Sequence, residues 1–164
     1  MTVLAVLAVA LVAVGVVGAV RAGDGLERTT AVVDGVPLTV VRSSDGSGDR
    51  PGAVVVHGFA GSAALMQPFA DTLARNGYVV VLPDLAGHGA STRRLSDPLS
   101  DVDTAVRFLR SQPGVDPDRT VLIGHSRGAS AVTSYAGAHR EIAATIAISL
   151  GQAPATLPRN LLVL

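Results

Sequence analysis

The chain lacks cysteine, lysine and tryptophan altogether, and it has only five aromatic residues, two Tyr and three Phe, among 164. Without cysteine there is no disulfide framework, no thiolate nucleophile and no cysteine-ligated zinc site. So few aromatic rings argue against a platform on which nucleic-acid bases stack. The 13 arginines balance 13 acidic residues, so the chain has no basic field for a phosphate backbone. We therefore expect no nucleic-acid partner and no thiol chemistry.

Charged residues are also scarce, since they make up 16% of the chain against 48% apolar residues. Such a balance favours a single folded domain over intrinsic disorder. The apolar residues are concentrated near the amino terminus, where residues 2–20 contain no charge. A helix of this length spans roughly 28 Å, close to the hydrocarbon thickness of a bilayer. The sequence therefore predicts a single-pass membrane protein with a transmembrane helix in residues 1–22.

Two alternatives remain for this apolar segment. Small residues near Ala19 and Ala22 suit signal-peptide cleavage, which would give a secreted product, although no basic residue precedes the segment. A buried core helix is the other alternative. Charges of both signs follow the segment within a few residues, so its orientation in a membrane is left open.

The rest of the chain alternates between strand and helix patterns. After a linker at residues 23–28, two β-branched runs flank the Asp34-Gly35 turn and predict a hairpin that starts at Thr29. Apolar strands follow near 53–56, 78–82, 120–124, 143–149 and 161–164, with helices near 63–75, 99–110 and 127–138. This order predicts an α/β domain over residues 29–164, with a mostly parallel sheet between helical layers. The ligand site of such a sheet lies at the carboxyl ends of its strands.

The sequence Gly-His-Ser-Arg-Gly at residues 124–128 joins a predicted strand to a predicted helix. A serine in this turn is held with its hydroxyl exposed, and the glycines allow the strand and helix to approach closely. Ser126 is therefore the candidate nucleophile, and the backbone N–H of Arg127 is a candidate oxyanion donor. The alternative is a serine that only caps the helix.

Two further loops follow predicted strands. The sequence His57-Gly58-Phe59 follows the strand at 53–56, where the Phe59 N–H can supply a second oxyanion donor. We interpret His57 as a structural histidine that bonds its own loop. In the glycine-rich loop at 84–91, Asp84 or His88 could be catalytic, but a structural turn is the preferred interpretation.

The histidines do not form a metal-ligand pattern. His57, His88 and His125 come from separate loops, and the sequence has no closely spaced ligand pair. We expect neither a metal nor a cofactor.

These three motifs, in this order and on these strands, resemble the α/β-hydrolase superfamily. The resemblance extends from about Thr29 to Leu164, and residues 101–103 and 114–119 are similar to the dienelactone-hydrolase-like and related esterase branches. It implies the three-layer α/β/α sandwich of that fold. It also implies a small acyl substrate, Ser126 as nucleophile, and oxyanion donation by the backbones of Phe59 and Arg127. Other residues of the motifs would shape the site: His57, Gly58, Gly124, His125 and Gly128.

The chain departs from this superfamily after the serine. The superfamily order is serine, then acid, then histidine, but only His139 and Glu141 carry these side chains after Ser126. They fall at the far end of the helix that begins at the serine, roughly 20 Å away. We therefore expect the acid and the histidine to lie beyond Leu164, which makes the chain an inactive, incomplete hydrolase domain. The alternative is a non-catalytic, membrane-tethered binding module of the same fold.

Overall fold

A computed structural model describes residues 24–46 and 48–164, together with Ala5, Leu7, Leu11, Val12 and Gly15. Apart from those five positions, the predicted membrane segment lies outside the described residues. Within the described part of the chain, no helix is long and apolar enough to cross a bilayer. The side chains of Leu7, Leu11 and Val12 are exposed.

The described residues form a seven-stranded sheet whose strands lie in the order β1-β2-β4-β3-β5-β6-β7. The first two strands pair antiparallel to each other, and β2 pairs antiparallel to β4, whereas the remaining neighbours are parallel. The mostly parallel sheet confirms the predicted α/β class. The strands are β1 Leu26–Val33, β2 Val36–Ser43, β3 Arg50–Val56, β4 Val79–Pro83, β5 Val115–His125, β6 Ala144–Ile148 and β7 Leu161–Val163.

Helices cover both faces of this sheet. A 3-10 turn at Ala63–Met66 leads into α1, Gln67–Arg75, on one face, while α2, Leu99–Arg110, and α3, Arg127–Ala138, cover the other. Side chains of a strand alternate between the two faces. In β3, accordingly, Val55 packs in the core under α1, and Val54 packs in the core under α2 and α3.

Several element boundaries differ from the prediction. The predicted helix at 63–75 is a 3-10 turn followed by α1, because Pro68 lies in the first turn of α1 and has no N–H for a longer helix. The hairpin begins at Leu26 rather than Thr29, within the predicted linker, because Leu26 pairs with Ser43 and packs on the α1 side. The central strand β5 begins at Val115, and its pairing with β3 is irregular at Pro51 and Gly52.

The parallel strands bring the three motifs to one edge of the sheet. The loops after β3, β4 and β5 begin at His57, Asp84 and Ser126, so all three leave the sheet at its carboxyl-terminal edge. At the border of the sheet, Leu162 and Val163 of β7 are half exposed.

Candidate active site

Ser126 forms a sharp turn between β5 and α3. Its backbone has φ 52° and ψ −114°, a conformation that is strained for any residue other than glycine. The Ser126 N–H donates to the carbonyl of Ile148 at 2.9 Å, and its carbonyl accepts from the N–H of Ser130 at 3.1 Å. Strand β6 and the first turn of α3 therefore hold the strained backbone, while the side chain is exposed.

Three glycines make the close packing around this turn possible. A Cβ on Gly124 would overlap the backbone of Gly128, and a Cβ on Gly128 would overlap the carbonyl oxygens of Val56 and His57. A Cβ on Gly58 would lie 3.2 Å from the Cβ of Ser126. The loop after β3 is therefore in contact with the serine, as both motifs require.

The Phe59 side chain is exposed, and its backbone follows Gly58 in a turn closed by the Gly61 N–H and the Gly58 carbonyl at 3.1 Å. No described residue accepts a hydrogen bond from the backbone N–H of Phe59. The same holds for Arg127, the first residue of α3. Both N–H groups are therefore free to donate to a ligand, and Arg127 lies next to Ser126 at the positive end of the α3 dipole.

His57 is buried, and both of its ring nitrogens have backbone partners. The Leu85 N–H donates to Nε2 at 3.1 Å, so Nδ1 carries the proton and donates to the Gly58 carbonyl at 2.7 Å. Burial lowers the pKa of His57, against the opposing effects of the Gly58 carbonyl and the Asp84 carboxylate. The neutral His57 ring therefore connects two loops. Neither of its nitrogens is free to accept the proton of the serine hydroxyl.

The loop after β4 is held by its own acidic residue. Asp84 accepts the N–H of Ala63 at 2.7 Å and the N–H of Ala90 at 2.8 Å. His88 is buried, and its Nδ1 donates to the Ala86 carbonyl at 3.0 Å. Both side chains therefore serve the structural turn that the sequence favoured.

The remaining candidates for a triad lie at the other end of α3. His139 stacks on Tyr135 with ring centroids 3.8 Å apart and donates from Nδ1 to the Tyr135 carbonyl. Glu141 lies 3.5 Å from Arg110. Because α3 is twelve residues long, this end is roughly 18 Å from Ser126. Among the described residues, no histidine or carboxylate bonds the serine hydroxyl, and no cluster of three metal-ligating side chains occurs.

Two side-chain contacts near the site were missed by the sequence analysis. Asp101 is fully buried, accepts the Ala86 N–H at 2.8 Å and forms an ion pair with Arg93. The Arg127 guanidinium donates to the Ser96 carbonyl at 2.6 Å. The sequence did contain a signal that Asp101 is buried, because Asp101 precedes Ala105 by one helical turn on the buried stripe of α2.

Comparisons with known proteins identify the family of this chain. Residues 50–161 match a protein family described as serine aminopeptidase, S33. Protein ABHD8 of Mus musculus is 33% identical over 116 residues, which cover 65% of this chain and 24% of that protein. The thiohydrolase aneE of Aspergillus aculeatus is 37% identical over 108 residues, which cover 61% of this chain and 34% of that protein. The chain thus matches about a quarter to a third of the length of these relatives.

A solved structure gives the same fold. A Klebsiella pneumoniae protein assigned as a dienelactone hydrolase superposes with a TM-score of 0.67 at 18% sequence identity. The superposition covers 85% of this chain and 71% of that one.

Proposed function

Because the chain belongs to the serine aminopeptidase S33 family and has the α/β-hydrolase fold, we propose that it is part of a serine hydrolase acting on carboxylic esters or similar acyl substrates. One observation carries the proposal. Ser126 has a positive φ at a strand-to-helix turn, with its side chain exposed and two unpaired backbone N–H groups near it. Strain of this kind persists where surrounding structure imposes it, and it is concentrated at functional sites.

The proposed mechanism is acyl transfer through a covalent intermediate. The Ser126 Oγ attacks the acyl carbonyl carbon, and a general base takes the hydroxyl proton. The backbone N–H groups of Phe59 and Arg127 donate to the oxygen that becomes negative. The alcohol leaves with the proton from the base, and water then hydrolyses the acyl-serine.

The base and its acidic partner come from outside residues 24–164. Within that range, His57 and His88 donate to the backbone, and His139 lies at the far end of α3. The fourth histidine, His125, is the exposed last residue of β5, and no hydrogen bond joins it to the Ser126 hydroxyl. We propose that both groups follow Leu164, in the order that the superfamily uses. The exposed apolar residues of β7 support further packing there, because parallel sheets are normally covered on both faces.

The choice of esters rests on chemistry shared with relatives. A lactone is a cyclic ester, and the solved neighbour is assigned as a dienelactone hydrolase. The aneE relative is named a thiohydrolase and the family is named for an aminopeptidase, so the common step is nucleophilic attack on an acyl carbonyl. We also propose that residues 2–20 anchor the protein in a membrane, because the segment is uncharged and long enough to span one.

A second candidate function follows from the lack of a described hydrogen-bond partner for the serine hydroxyl. Since no described histidine or carboxylate bonds it, the chain could instead act as a non-catalytic, membrane-tethered α/β-hydrolase-like module that binds a ligand or partner. The two candidates differ in what the coding sequence after Leu164 supplies. An acid followed by a histidine favours the hydrolase, and their absence favours the binding module.

The test uses the protein extended through that downstream coding sequence, assayed with p-nitrophenyl esters. We expect turnover from the extended protein and none from the chain ending at Leu164. Ser126→Ala removes turnover, by about 10⁴-fold or more. Ser130→Ala, one helical turn further along α3, is the matched control and retains it. The proposal is contradicted if the extended protein contains an acid and a histidine but is inactive. It is also contradicted if Ser126→Ala is as active as the unmodified extended protein.

A further inference from the structure

We propose that the loop between β4 and α2, residues 84–98, positions both oxyanion donors, and that the buried Asp101 carboxylate fixes this loop. The inference rests on the proposed function, which assigns those donors to the backbones of Phe59 and Arg127. It adds positioning residues that touch neither the substrate nor the serine. Two separate contacts connect the loop to the two donors.

The first contact is between His88 and Phe59. Their rings meet edge to face, with centroids 5.4 Å apart and an interplanar angle of 80°. His88 is fixed by its bond to the Ala86 carbonyl and by the neighbouring His57 ring at 5.4 Å. The Phe59 side chain is otherwise largely exposed, so the His88 ring restricts the orientation of the residue whose N–H is assigned to the oxyanion.

The second contact is between Ser96 and Arg127. The Arg127 guanidinium donates to the Ser96 carbonyl at 2.6 Å, which connects the far end of the loop to the first residue of α3. Arg127 thereby has two functions in the proposal. Its backbone N–H faces the oxyanion, and its side chain connects that residue to the loop.

Asp101 and Asp84 hold the loop between these contacts. Asp101 accepts the Ala86 N–H with one oxygen and pairs with Arg93 through the other. The Gly87 N–H donates to the Arg93 carbonyl at 2.8 Å, so the two sides of the loop are also joined directly. Asp84 ties the loop at Ala90. Loss of the Asp101 charge leaves Arg93 without its buried partner, and the loop between His88 and Ser96 loosens.

A loosened loop displaces the donors without removing them. Catalysis is sensitive to such displacement, because a donor must lie within hydrogen-bond distance of the oxygen that gains charge. The contribution arises in the transition state rather than in substrate binding. Loss of positioning therefore lowers kcat and leaves KM unchanged.

The experiment compares Asp101→Asn with Asp103→Asn. Both residues lie in α2, but Asp103 is bonded to Arg107 and Tyr135 and does not contact the loop. In the ¹⁵N-labelled 164-residue protein held in detergent micelles, Asp101→Asn shifts the amide resonances of Phe59 and Arg127. Asp103→Asn leaves them in place. In the extended enzyme, Asp101→Asn lowers kcat about tenfold at unchanged KM, whereas Asp103→Asn retains kcat.

A second pair of variants covers the case in which Asp101→Asn fails to fold. His88→Ala shifts the Phe59 amide but not the Arg127 amide, and His88→Phe restores the Phe59 position because it keeps a ring against Phe59. If the Asp101 and Asp103 variants give equal shifts, or if His88→Phe behaves as His88→Ala, the inference is wrong. The resonance shifts need no activity, so they remain decisive if the extended protein proves inactive and the proposed function fails. Conversely, Ser126-dependent turnover with equal kcat in both Asp variants overturns the inference alone.

Discussion

The two ends of α3 differ in how their polar groups are used. At the amino end, Ser126 has a strained backbone and an unbonded hydroxyl, and the N–H groups of Phe59 and Arg127 have no described partner. At the carboxyl end, His139 stacks on Tyr135 and Glu141 pairs with Arg110. The carboxyl end has a histidine and an acid, but structural contacts engage both of them. The comparison teaches that unpaired polar groups and backbone strain distinguish a site better than residue types do.

The largest expected effect is a loss of stability when the close packing at the amino end of α3 is disturbed. Gly128→Ala destabilises the fold by about 3 kcal/mol, because the added methyl group overlaps backbone carbonyl oxygens of Val56 and His57. This cost exceeds the usual gain from placing alanine in a helix. Urea denaturation measures the free energy of unfolding. Gly151→Ala, where an added Cβ meets nothing within 4 Å, is the control and changes stability little. Equal stabilities of the two variants would show that the turn between β5 and α3 is not closely packed.

The next effect is a pH dependence at the amino end. Burial lowers the pKa of His57 below its ordinary value of 6.5 in the folded protein, so the unfolded chain binds more protons. The stability from this residue is present above pH 6.5 and decreases as pH falls from there through the folded-state pKa. One group changes the free energy of unfolding by at most about 1.4 kcal/mol per pH unit.

Denaturation curves between pH 7.5 and about 4.5 check this dependence. His57→Gln removes the titrating ring, so its stability falls less steeply with decreasing pH than that of the parent protein. Identical slopes in the two proteins count against a neutral His57 joining the loops.

The smallest effect concerns the carboxyl end of α3. The Tyr135 hydroxyl donates to Asp103 at 3.0 Å, and burial together with this carboxylate raises the pKa of the tyrosine. Tyr135→Phe costs about 1 kcal/mol of stability. It leaves the turnover of the extended enzyme unchanged, since this end takes no part in the proposed chemistry. Thermal unfolding measures this cost, with Tyr78→Phe, at the other tyrosine, as the control. A loss of turnover in Tyr135→Phe alone would show that the carboxyl end of α3 takes part in catalysis.

Local patterns predicted the helices at 99–110 and 127–138 with the bounds that the structure has, because each has an apolar stripe and clear ends. They also predicted that the loops after β3 and β5 leave the sheet at one edge, since parallel strands end together, and Gly58 does lie against Ser126. The 3-10 turn before α1 was not predicted, because the apolar pattern is continuous across residues 63–75 and does not show that a new helix begins next to Pro68. The bond between Arg127 and Ser96 joins residues 31 positions apart through an irregular loop, and no local periodicity encodes such a contact.

The acyl-enzyme itself tests the central claim most directly. The extended protein is mixed with a p-nitrophenyl ester, quenched in acid during the first turnover, digested and mapped by mass spectrometry. The account predicts that the acyl mass lies on Ser126 and that none is found there with Ser126→Ala. Acylation of a different residue, or steady turnover without any acylated Ser126, would contradict it.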